Sequence, residues 1–104
     1  MTIRVIRLMN GEDLIGSLEV SSKKDSGLVY KLKDVGTINL VSTKDGGVGI
    51  SLFPFAPYAE ESEFTFKEEH VVTTFSPSVD LINNYNRMFG SGIQIASAGS
   101  VTGR

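Results

Sequence analysis

Residues 3–20 read Ile-Arg-Val-Ile-Arg-Leu-Met-Asn-Gly-Glu-Asp-Leu-Ile-Gly-Ser-Leu-Glu-Val, and this stretch decides the fold. Asn10-Gly11 readily adopts the positive φ angles of a tight hairpin turn, so the segments on either side are expected to be antiparallel neighbours. Before the turn, Ile3, Val5, Ile6 and Leu8 place apolar groups on both faces, as in a strand covered on both sides or lying at a subunit contact. After it, Leu14, Gly16, Leu18 and Val20 share one face while Ile15, Ser17 and Glu19 share the other. Gly16, lacking a side chain, allows a bend or a close backbone approach in mid-strand, which is how a short sheet curls into a barrel.

Outward from this hairpin the two-residue period continues. Ser21 to Gly27 is polar and reads as a loop; Leu28–Lys33 and Thr37–Ser42 are strand-like, either separate or one long strand bent near Gly36. Lys44-Asp45-Gly46-Gly47 is a second turn signal, returning Val48–Phe53 antiparallel. The longest strands are expected to pair through these two turns. Phe53-Pro54-Phe55-Ala56-Pro57-Tyr58 combines prolines that forbid a central strand with aromatics that resist full solvation. Phe64 and Phe66 alternate with polar neighbours, and His70–Phe75 makes a last strand. At Ser76 the period changes to that of a helix over about 77–89: Ser76 is a possible cap, Pro77 suits the first position, Asp80 suits the positive end and Gly90 follows as terminator. Ser78, Ile82, Tyr85 and Phe89 form one stripe, flanked by Leu81 and Met88. Residues 91–104 are small, polar and Gly/Ser-rich, and read as a flexible tail. The expected architecture is all-β, a strongly bent antiparallel small barrel with one C-terminal helix over an open end, occupying residues 1–90 as one domain.

The 104 residues carry 10 basic and 12 acidic side chains and no cysteine. This composition excludes a strongly basic nucleic-acid coat, disulfides and thiolate metal sites, and it leaves subunit association as the natural supplement to a modest core. Without a run of about 18 apolar residues or a signal-peptide core, the chain reads as soluble and cytoplasmic, with no membrane partner. Chemistry is sparse. A serine triad would have to use His70 with the adjacent Glu68 or Glu69, and no nucleophile elbow occurs. Glu12/Asp13, Glu60/Glu61 and Glu68/Glu69 read as solvated loop pairs, and the glycines at 46–49 lack the lysine and helix start of a phosphate loop. No catalytic residue, metal site or cofactor is expected.

Two segments resemble the motifs of the Sm-like (LSm) family, small SH3-type barrels that assemble into RNA-binding rings. Leu8 to Leu18, with Leu32-Lys33-Asp34-Val35 ending a later strand, resembles the first motif; His70 to Ser78 is similar to the second in the form of the bacterial Sm-like RNA chaperone. The proline-aromatic segment 53–58 and the terminal helix 81–92 are similar to those of small Sm-like proteins encoded by tailed phages. The resemblance spans residues 3–93. It implies a homo-oligomeric ring of about five to seven subunits, with edge strands pairing between copies and Ile3, Val5, Val71 and Val72 suited to that contact. It also implies single-stranded RNA bound at the pore with low selectivity by Lys23, Lys24, Ser26 and His70. The chain departs from the family where Val29 stands in place of a base-reading asparagine and Glu69 in place of a lysine. An alternative is a structural or interaction module that docks a protein partner through the proline-aromatic loop or the helix. Arg4 and Arg7 suit either intersubunit pairing with glutamates or RNA contact. Tyr30, Phe53, Phe55 and Tyr58 suit either base stacking or burial.

Overall fold

The computed structural model describes residues 2–25 and 27–89; Ser26 and the expected tail at 91–104 lie outside them. Six strands and one helix follow in chain order: β1 (Thr2–Leu8), β2 (Asp13–Lys23), β3 (Gly27–Ser42), β4 (Val48–Pro54), β5 (Glu63–Lys67), a single 3₁₀ turn (Glu68–His70), β6 (Val71–Phe75) and α1 (Val79–Phe89). All pairings are antiparallel, in the order β4-β3-β2-β1-β6, with β5 also paired to β3. The fold is therefore all-β, one strongly bent antiparallel sheet forming a small barrel, with a single C-terminal helix.

The bend belongs to β3. Its first half pairs with β5 (Val29↔Lys67 to Lys33↔Glu63) and its second half with β4 (Gly36↔Pro54 to Ser42↔Val48). Between them Asp34 sits at φ +54°, in the left-handed region, where its amide donates to Ser62 O at 2.8 Å while the neighbouring Val35 carbonyl accepts from the Phe55 amide at 2.9 Å. The strand is one continuous element, as one of the two sequence readings had it, and it turns two residues before Gly36. Opposite the bend, β2 shifts register between Ile15 and Ser17. There a Cβ on Gly16 would lie 2.7 Å from the Lys33 carbonyl oxygen, the close approach that glycine permits. The longest strands, β2 and β3, pair with each other up to Lys23↔Gly27, and not through Asn10-Gly11 or Gly46-Gly47. Ser21–Lys23 is part of that ladder, since exposed cross-strand pairing needs no apolar side chains.

Both faces of β1 are covered. Ile6 and Leu8 join Leu14, Leu18, Leu32 and Val35 inside the barrel, closed by Tyr30, Phe55, Phe64, Phe66 and Val71. Val5 and Ile15 face the other way, under Leu81 and Tyr85 of α1, with Ile3, Ile38, Leu52 and Phe89 around them. Ile3, Val5 and Val71 are thus satisfied within the chain; of the four residues assigned to a subunit contact, only Val72 stays exposed. The helix begins at Val79. Its cap is Ser78, whose Oγ accepts from the Leu81 amide at 3.2 Å and whose carbonyl accepts from Ile82 N at 3.0 Å, so Ser76 and Pro77 precede the helix. Tyr85 then donates its hydroxyl to Asp34 O at 2.7 Å, tying the helix to the bend.

Candidate nucleic-acid interface

The β2–β3 hairpin ends in Lys23, paired with Gly27, and in the exposed turn residues Lys24 and Asp25. Gly27 has φ +72°, and a Cβ there would collide with the Glu68 carboxylate at 2.3 Å. That carboxylate accepts from the Leu28 amide at 2.5 Å. An acid 40 residues away in sequence thereby fastens the 3₁₀ turn to the hairpin. The other end of the turn is fixed by the His70 carbonyl, which accepts from Met9 N at 2.9 Å. The turn consequently bridges from the hairpin to the end of β1.

Lys23, Lys24, Lys67 and the His70 side chain are all exposed on this bridged end, together with Asp25, Glu68 and Glu69. The three lysines are matched by three carboxylates, and the Glu68 carboxylate is already engaged by backbone. Val29, which the Sm-like resemblance sets in place of an asparagine, is buried opposite Lys67 and presents no polar group. Ser26 lies outside the described residues. Sequence reasoning named Lys23, Lys24 and His70, which the structure leaves exposed, but missed the anchoring role of Glu68, which no local pattern signals because its partner is distant along the chain.

Of the remaining candidates, the two arginines and Phe55 have partners within the chain. Arg7 forms a bidentate pair with Asp13 at 2.8 and 2.9 Å and lies 5.6 Å from the centre of the Phe75 ring. Arg4 donates to Ser76 Oγ at 2.8 Å and Thr74 Oγ1 at 3.1 Å. Both arginines thus have hydrogen-bond partners within their own chain. Phe55 packs edge-on against Phe64 and Phe66 at 5.2 and 6.2 Å between centroids and closes the barrel core; Phe53 and Tyr58, 53% and 89% exposed, are the outward-facing aromatics of the segment. Burial foremost, and then the nearby Asp34 carboxylate, push the Tyr85 phenol well above its ordinary range. The Thr43 hydroxyl and the Gly47 amide hold the Asp45 carboxyl below its usual range in the β3–β4 turn.

A groove of about 880 Å³ lies on the helix side of the sheet, with Ile38, Leu40, Ile50, Phe75 and Leu81 as its apolar lining and the Arg7–Asp13 pair beside them. Two smaller clefts, about 410 and 370 Å³, run between β4 and α1 past Ile50, Asn84 and Arg87. Among the described residues no three histidine, aspartate or glutamate side chains come together as a metal site, and no helix is long and apolar enough to cross a membrane. The chain matches no known protein-family model, and no curated protein is significantly similar to it.

Proposed function

We propose that this chain is a non-catalytic, ring-forming Sm-like protein of the kind encoded by tailed phages, acting in the cytoplasm and binding single-stranded RNA with low sequence selectivity at the pore. The observation that carries this reading is the Glu68–Leu28 hydrogen bond. By fastening the turn that bears His70 to the hairpin that bears Lys23 and Lys24, it makes one exposed end from two distant segments while taking one carboxylate out of competition. A single copy offers little net attraction for phosphate; five to seven copies around an axis would repeat the lysines enough to matter. His70 adds a planar ring suited to stacking on an unpaired base.

Fluorescence anisotropy with labelled oligo-uridine or oligo-adenosine tests it. The unmodified protein binds at micromolar concentration in low salt and loses affinity as salt rises. Lys23→Ala with Lys24→Ala weakens binding strongly, and His70→Ala weakens it by about 1–3 kcal/mol per stacked base. Absence of binding in low salt overturns the RNA reading. A second reading, a ring that docks a protein partner, is favoured by the matching of Lys23, Lys24 and Lys67 with Asp25, Glu68 and Glu69 and by the outward Tyr58; it takes the place of the first if RNA does not bind.

A further inference from the structure

The sheet has two long edges, β4 and β6, at the ends of its strand order. Natural edge strands are usually blunted by charge, proline or a covering element, because an open row of amides and carbonyls invites pairing. Neither VGISLF at 48–53 nor VVTTF at 71–75 carries a charged residue, whereas the outer strand β5, EFTFK, carries Glu63 and Lys67. Pro54 closes β4 at one end, leaving six residues free to pair, enough for the five of β6. Both edges also carry exposed apolar side chains: Val48 is 71% exposed and Ile50 43% on β4, Val72 56% and Phe75 37% on β6.

Strand register fixes which way these side chains face. Phe75 is opposite Val5 and Thr73 opposite Arg7, and Val5 lies under α1, so Phe75 and Thr73 are on the helix side of the sheet. On β4, Leu52 packs toward the helix, and Ile50 and Val48, at steps of two, share its side. A β6 strand from a second copy, laid along β4, continues the sheet without exchanging its faces. Its Phe75 then falls where the cleft between β4 and α1 opens, a space of about 370 Å³ bounded by Ile50, Leu52, Met88, Asn84 and Arg87. Arg87, which bonds Asn84 along the helix, is an exposed member of that lining and can cover the incoming ring as Arg7 covers Phe75 in its own copy.

We infer that Phe75 of one copy seats in the β4–α1 cleft of the next, making the C-terminal helix part of the subunit contact. This deepens, and rests on, the ring reading above. Sedimentation velocity and cysteine cross-linking test it. Phe75→Ser yields monomers whose circular dichroism matches the unmodified protein, and Phe75→Leu keeps the assembly. Because the chain has no cysteine, Thr73→Cys and Asn84→Cys can be introduced in separate copies and co-expressed. Oxidation then gives a covalent dimer containing one of each, and neither variant alone cross-links. Should Phe75→Ser misfold, the cross-link decides. A ring that persists in Phe75→Ser, or either variant cross-linking to itself, overturns the seating while the ring stands. An unmodified protein that sediments as a monomer overturns both.

Discussion

Tyr85 joins two parts of the molecule through one hydroxyl, since it is buried under the sheet and donates to the carbonyl of Asp34 at the left-handed bend. Tyr85→Phe keeps the ring and removes that bond, so urea unfolding at neutral pH should show a loss of about 0.5–1.5 kcal/mol. The same residue sets an alkaline limit. Its folded-state pKa is raised, so above about pH 10, the ordinary phenol value, the unfolded chain sheds a proton that the folded chain keeps. Its contribution, fully present below that pH, falls as the pH rises. Unfolding curves at about pH 8 and about pH 11 should therefore differ more for the unmodified protein than for Tyr85→Phe. At Gly16 the constraint is steric. Gly16→Ala sets a methyl 2.7 Å from the Lys33 carbonyl oxygen and 2.9 Å from Leu32 Cγ; forcing β2 and β3 apart costs about 1–3 kcal/mol, measurable as a lower denaturation midpoint.

Elements were legible where side-chain period and turn chemistry agreed. Asn10-Gly11 and the two-sided apolar pattern of Ile3 to Leu8 announced a hairpin whose first strand is covered on both faces, and the structure has it so. The helix is visible in the stripe through Tyr85, but its start is displaced by two residues because Ser76 reads as the cap and Ser78 as part of the stripe. Ser76 is held by Arg4, and Ser78 caps. Ser78→Ala should accordingly cost about 0.5–2 kcal/mol, read by thermal unfolding, with the loss appearing in the helical part of the spectrum. The bend at Asp34 was harder to place. A glycine two residues on looked the better hinge, yet contacts from Ser62, Phe55 and Tyr85 hold the non-glycine residue in the left-handed region, and none of these lies within ten residues of it in sequence.

At the scale of the whole molecule, two cores share one sheet. Leu18 belongs to the core inside the barrel, so Leu18→Ala should cost about 2–5 kcal/mol and be visible as a single shifted transition in denaturant. The candidate site was legible as residue types, lysines in a hairpin and one histidine before a strand, but not as an arrangement. What assembles it is Glu68, whose acceptor role depends on an amide brought close only by folding. The pairing of β1 with β6 has a different consequence, for the time course of synthesis. Arg4 and its partner Thr74 are 70 positions apart, so at about 5–20 residues per second the first strand waits roughly 4–14 s for the strand that flanks it. During that interval an apolar edge stands open beside the ribosome, and the nascent chain depends on the β1–β2 hairpin to keep it from pairing elsewhere.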